Sequence, residues 1–451
     1  MLPLAMTSLI ATALASPAWL IAPDGAENDL FGVALAIDGD QLVVGAPNHG
    51  SAGYLAGVAY TYSNTANGWV LGQTLMPDGL GPYDNFGTAV AVQGPHAIIG
   101  WPQASIKGIT TGRAIHYLWN GSAWNEVGRL VDPDNQANNY FGGSLAMDGD
   151  DLIVGCQLDD RVGPDSGSAL IFKYLDGDWV FQQRLVPSMI GQLSWAGRSV
   201  AIKDGVAVIG SYLEWQGDVP AAGAAYVFRR DANGLWNEEA RLLAADPWPG
   251  NYFGYSLSWD GSTLAVGSIL NDAPAEDSGA VYLHEHIDGN WTQTKLTPPD
   301  IGGEFGFTIA VQGDDMLIGA VYHPGPGIAT GAVYRYKRLA GLWTWRGKWL
   351  PRPGVDDCFF GASLDVSGQQ AAVGAPREFI QAPWTGAVYV RDIGLACNGD
   401  VDGDVHVGVN DLLAVVAAWG PCQDCPEDID GNGHVGTDDI LALIGSWGWC
   451  H

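Results

Sequence analysis

Two stretches near the C-terminus hold the residues best suited to chemistry. Asp400, Asp402 and Asp404 occupy positions one, three and five of a twelve-residue loop that ends at Asp411. Asp428, Asp430 and Asn432 repeat the pattern twenty-eight residues later, in a loop that ends at Asp439. Alternate side chains on a tightly turning loop aim oxygens at one centre. Hard oxygen donors carrying three or four negative charges suit Ca²⁺. The backbone carbonyls of His406 and His434 fall at position seven of each loop. A zinc site on these two histidines is the alternative, but a side chain at position seven points outward. Gly433 supplies the sharp turn at position six of loop two. Loop one has Val405 there, so weaker binding is expected of it.

An apolar helical pattern follows each loop, LLAVVAAW and ILALIGSW, and Val407 and Val435 at position eight are expected to pair the loops through short β contacts. Four of the six cysteines repeat with this unit. Cys397 and Cys425 precede a loop by three residues, and Cys422 and Cys450 follow a helix. Three disulfide pairings are open. A zinc site from the four cysteines is a further alternative, disfavoured in an oxidising compartment. Cys156 and Cys358 lie far from this cluster and are expected to be buried thiols.

The elements that carry such a tail are set by the rest of the chain. Fifty acidic residues against 20 basic ones give a net charge of −30 over 451 residues. That excludes a general basic surface for nucleic acid or anionic membranes, and it suits cations. Sixty-three glycines, 19 tryptophans and only 16% charged residues point to many tight turns and strands. The N-terminus has no charged side chain before Asp24. Its apolar run ends in Ala13-Leu14-Ala15, a cleavage signal, so residues 1–15 are expected to be a secretory leader, although a basic n-region is missing. No other segment is apolar and long enough to span a bilayer. The expected location is extracellular, secreted or at the cell surface.

Between the two ends runs a period of about 55 residues. FGVALAIDGDQLVVGAP, at Phe31 to Pro47, returns six times, with leading glycines Gly32, Gly87, Gly142, Gly197, Gly254, Gly306 and Gly361. A second glycine follows 13 residues after each of them. A third opens a further strand pattern, as in GVAYTY at Gly57 and GRAIHY at Gly112. Six copies add a fourth segment led by Trp69, Trp124, Trp179, Trp236, Trp291 and Trp343. Short alternating or apolar segments separated by turns predict four strands per repeat, with Asp38-Gly39, Asp148-Gly149 and Asp260-Gly261 as hairpin turns between the first two. Seven such units, unable to bury their faces alone, predict an all-β, seven-bladed β-propeller of four-stranded antiparallel blades, followed by a small α-helical calcium-loop domain. The seventh repeat lacks its fourth strand. Trp19-Leu20 fits as that missing strand, which would close the ring.

From about Trp19 to Asp392 the repeats resemble FG-GAP repeats, the integrin-α-type propeller, with Ala196 in place of Phe in repeat four. In that family some first hairpins hold a calcium loop. The hairpins here are too short for one, so Asp38, Asp148 and Asp260 are read as turn residues. From about Cys397 to Cys450 the tail resembles a type I dockerin: Asp stands at position twelve and no entering helix precedes the loop. The resemblance implies two bound calcium ions and docking to a cohesin-like or other extracellular protein. The recognition positions would be Val409, Asn410, Thr437 and Asp438, where cellulosomal dockerins often carry Ser-Thr. The implied domains are residues 16–394 for the propeller and 395–451 for the dockerin-like module.

No nucleophile elbow, zinc-protease, P-loop or dinucleotide motif is present. His116 and His284 sit in third strands and are expected to be core or surface histidines, not catalytic ones. The longer connections, from strand two to three and from strand four to the next blade, share one face of a propeller. They bring Trp101, Trp215, Trp248, Trp384, Tyr54 and Tyr322 there, with Asp159, Asp160, Asp272 and Asp277. Such aromatics can stack on sugars or anchor a protein; packing between blades is the alternative. The expected function is a non-catalytic binding or scaffold protein, its propeller monomeric and its face taking a protein or a glycan. The alternative is a secreted carbohydrate-active hydrolase with its site on that face.

Overall fold

A computed structural model describes residues 18–449 except 107, 273–274, 326, 328, 353, 394–398, 400, 402–405, 422–426 and 430–432. Seven four-stranded antiparallel sheets follow one another along the chain. Blade one is Ala34–Asp38, Gln41–Ala46, Val58–Thr65 and Gly68–Leu75, in that order from the centre outward. In blade seven the strands Ser363–Ser367, Gln370–Ala375 and Ala387–Asp392 take Ala18–Leu20 as the outermost. Its register sets Ala18 opposite Val390 and Leu20 opposite Val388. The expected closure by the N-terminal strand is therefore present. A short hairpin, Ser105–Ile106 with Ile109–Thr110, decorates blade two and had no signal in the repeat.

The repeat residues are the blade-to-blade contacts. Phe31, Phe86, Phe141, Phe253, Phe305 and Phe360 are wholly buried, as is Ala196 in their place in blade four. The glycines mark where neighbouring backbones touch. A Cβ on Gly100 would lie 2.0 Å from the Gly142 carbonyl oxygen, and one on Gly112 would lie 2.3 Å from that of Phe141. Only glycine permits that approach.

A further ring of hydrogen bonds ties the inner strands together. A residue at the end of the first strand, or one past it in blade five, reaches the hairpin of the next blade: Asp38 accepts from Gly94 N, Gln93 from Gly149 N, and Asp148 from Asp204 N. Asp260 accepts from Gly313 N, Gln312 from Gly368 N, and Ser367 Oγ from Gly39 N, which returns to blade one. Lys203 has no acceptor to offer; there Trp259 Nε1 donates to the Lys203 carbonyl. The hairpin aspartates thus act as turn residues and also as staples. Asp38 and Asp148 sit beside two-residue turns, as expected. Asp260 instead opens a four-residue loop, Trp259 pairing Leu264, because its side chain caps Ser262 N and Thr263 N.

Beyond the propeller, the described residues include helices α1 (Val409–Ala417) and α2 (Thr437–Gly445). Val407, Val415, Val435 and Leu443 form a small core of their own. The expected pairing of the two loops is corrected. Val407 pairs Gly448, after α2, and Val435 pairs Gly420, after α1. Each loop is held by the chain that leaves the other helix, which buries both valines against both helices. No helix among the described residues is long and apolar enough to cross a membrane.

Candidate functional site

The first strands line a central channel, and a ring of aliphatic side chains divides it: Leu35, Val90, Leu145, Val200, Leu257, Ile309 and Leu364 border both parts. The part towards the hairpins, about 420 Å³, carries Asp38 and Asp365 and no base. Burial in the channel pushes the Asp365 carboxyl up to about 6. The part towards the long connections, about 570 Å³, is lined by Arg198 and Arg377 and by no carboxylate.

Aromatic residues crowd this wider chamber. They flank the Phe-Gly pairs: Tyr140 and Phe359 precede one, and Tyr255 and Phe307 follow one. The residue before each buried Phe, or before Ala196, is left-handed in all seven blades, from Leu30 at φ 57° to Phe359 at φ 56°. That conformation is sparsely populated by non-glycine residues. It is held by the preceding blade: Trp195 N donates to the Asp165 carbonyl, Tyr252 N to that of Ala221 and Glu304 N to that of Asp277. The rings then pack edge to face, with Tyr212 5.3 Å from Tyr255 and Tyr322 4.9 Å from Phe359. The Arg198 guanidinium lies 5.2 Å from the Tyr255 ring, and that of Arg377 lies 3.7 Å from the Phe359 ring. These arginines and flanking aromatics were not singled out in the sequence. The signal that could have found them is variation on either side of an otherwise repeated Phe-Gly.

Of the tryptophans expected on this face, Trp215 and Trp248 are exposed (62% and 64%) and Trp384 is 42% exposed. Trp215 and Trp248 belong to adjoining connections, joined where Gly250 N donates to the Pro220 carbonyl. Trp101 is a correction. It is 2% exposed and packs edge-on to Phe86, with Arg113 over its ring, because it ends a second strand whose side chain enters the seam between blades one and two. Tyr54 and Tyr322 are exposed.

The carboxylates of the same face serve the loops. Asp159 is buried, ion-paired to Arg184 at 2.7 Å and bonded to Ser168; Asp132 pairs with the same arginine. Asp160 accepts from Asp165 N, and Asp272 accepts from Asp277 N. Similar buried clusters recur around the ring. Glu214 holds Tyr226 and Arg241; Glu378 holds Tyr389 and Arg352. Glu304 differs: burial first, then the charge of Asp277, pushes its carboxyl up to about 7. Of the core and surface roles left open for His116 and His284, both take the core, and burial lowers each to about 4. Cys156 and Cys358 are free and buried, again as expected.

In the tail, the position-twelve carboxylates of the two loops are arranged alike. Asp411 is buried and accepts from Val401 N (2.6 Å) and Gly408 N (2.7 Å). Asp439 is buried and accepts from Ile429 N and Gly436 N, both at 2.7 Å. Asp428 accepts from Gly433 N across the second loop. His434 is exposed, and its backbone pairs Pro421. Val409, Asn410, Thr437 and Asp438 are exposed in the first turns of the two helices. The expected ligands Asp400, Asp402, Asp404, Asp430 and Asn432, the side chain of His406, and the cysteines Cys397, Cys422, Cys425 and Cys450 lie outside the described residues, as does the leader. Among the described residues, no group of three or more His, Cys, Asp or Glu is placed to hold a metal.

The FG-GAP repeat family matches residues 16–62, 124–172, 179–228, 236–284 and 291–336, more than half of the chain. The chain belongs to the FG-GAP repeat family. Its five matched repeats and the two blades between and after them share one build. A comparison with curated proteins found no match. Among solved structures, one titled as the crystal structure of the Mitotic Checkpoint Complex is similar at TM-score 0.51 and 10% identity, covering 87% of this chain and 98% of that one. A putative 6-phosphogluconolactonase from Bacteroides uniformis is similar at TM-score 0.46 and 13% identity, covering 70% of this chain and 83% of that one. At these identities the first likeness is one of fold.

Proposed function

We propose that this FG-GAP repeat protein is a secreted, non-catalytic binding or scaffold protein, attached through its C-terminal module to an extracellular or cell-surface partner. The propeller fold itself suggests a binding or scaffold role. The observation that carries the attachment is an apolar stripe repeated at twenty-eight residues: Leu413, Val416 and Trp419 beside α1, and Leu441, Ile444 and Trp447 beside α2, all exposed. A free chain exposes few such contiguous side chains without a partner to cover them. The module is read as dockerin-like, with two Ca²⁺ and a cohesin-like partner. The oxygen-only donor set fits that ion: Asp428 and Asp439 frame the second loop, and Asp411 closes the first. Bound calcium would supply the folding energy that so small a core lacks.

The test is calorimetric titration of Ca²⁺ into the chelator-treated full chain. Two sites are expected, one of them lost in Asp439→Asn. Uptake unchanged by Asp439→Asn would remove the calcium reading of the tail. The alternative, a hydrolase on the propeller face, would rest on a carboxyl pair such as Glu304 beside Asp277. Neither residue lines the chamber.

A further inference from the structure

The charge of the wider chamber runs against that of the molecule. The chain carries 50 acidic residues and 20 basic ones, yet this cavity of about 570 Å³ has two arginines and no carboxylate in its wall. Arg377 has a distant ion pair with Asp357 at 3.6 Å. Among the described residues the Arg198 guanidinium has no ion pair and no hydrogen-bond partner; it is half-buried, with Tyr255 alongside. A planar fork of five donors, partly withdrawn from water, is poorly satisfied by ring faces alone. It matches a carboxylate, which it can hold through two parallel bonds. Tyr140, Tyr255 and Phe307 supply apolar walls against which a flat ring can lie. The volume suits a ligand of one to three rings and excludes a folded domain.

We propose that the channel mouth binds a carboxylate carried on a sugar-sized ring, as in a hexuronic acid, with Arg198 holding the carboxylate and the aromatic wall holding the ring. This rests on the reading of the propeller as a binding platform and names what its central site takes. The negative charge of the opposite chamber, Asp38 and Asp365 beyond the aliphatic ring, would keep the anion at the arginine end.

The test is calorimetric titration of the full chain with glucuronate, with glucuronate trimers and with the neutral methyl ester of glucuronate. The acid should bind and the ester should not. Arg198→Gln should weaken the acid by about 30-fold or more. Arg346→Gln, at an exposed arginine of an outer strand, should leave it unchanged. Equal affinity of monomer and trimer would mark a site for the free acid, and tighter trimer binding a site for a chain end; both keep the proposal. Equal binding of acid and ester, no binding of either, or an Arg198→Gln protein that keeps its urea midpoint and its affinity would overturn it. A different ligand still captured by Arg198→Gln through Trp215 and Trp248 would leave the platform standing without this site.

Discussion

Glu304 occupies the left-handed position before the buried Phe305 (φ 60°) with a carboxyl pushed up to about 7. A carboxyl raised from 4.5 in the folded chain binds its proton more tightly there than in the unfolded one. Its contribution to stability is complete below pH 4.5 and is lost as pH rises through 7. Glu304→Gln should therefore remove part of the pH dependence between 4.5 and 7, and should be more stable than the parent at pH 8. Urea midpoints across that range would measure this; parallel profiles for the two proteins would show that Asp277 and the protein around it do not hold the proton. Single residues differed in how well the sequence revealed them. Cys156 could be read as core because it ends a repeated second-strand pattern, whereas Cys358 lies outside the strands, two residues before the buried Phe360. Trp101 was misread because a residue at a strand end faces either the seam or the solvent, and its type does not decide which. Arg198 went unread because its neighbours come from other blades, far away in sequence.

At the scale of the strand, the repeat was legible because its glycines carry a steric demand that does not vary between blades. Gly100 and Gly94 separate two reasons for a glycine. Gly94 has a positive φ of 53° with open space around its Cβ position, whereas at Gly100 a Cβ would meet the Gly142 carbonyl at 2.0 Å. Gly94→Ala should cost about 1 kcal/mol from the left-handed backbone alone. Gly100→Ala should cost more than about 4 kcal/mol, since two blades must part to admit a methyl group. Chemical denaturation of both variants checks the contrast, and similar midpoints would mean that the seam yields easily. The strand pairing of the tail was less legible. Val407 and Val435 were recognisable as matching positions, as were Gly420 and Gly448, but a two-fold repeat does not say whether a position pairs with its own copy or with the other segment.

For the whole molecule, closure is the decisive feature, and both ends of the repeat array announced it: seven first strands against six fourth strands, with a Trp-Leu pair upstream. Leu20 is buried in the seam between blades seven and one, and Trp19 lies beneath the Arg352 guanidinium at 4.7 Å. Removing Ala18–Ala22 would bare the edge of Ala387–Asp392. The expected result is a lower urea midpoint and concentration-dependent association in size-exclusion chromatography; a monomer of unchanged midpoint would show that the other six blades hold the ring without it.

That closure also sets a clock. Ala18–Leu20 pairs with a strand about 370 residues further on. At roughly 5–20 residues per second of synthesis, its partner appears about 20–70 s after it does. Chain collapse takes about 10–100 μs for a hundred residues, so the wait is longer by a factor on the order of a million. Throughout that interval the first strand of the propeller to be made is the last to be paired, and a ribosome that stalls before Ala387 leaves behind six complete blades and an open ring.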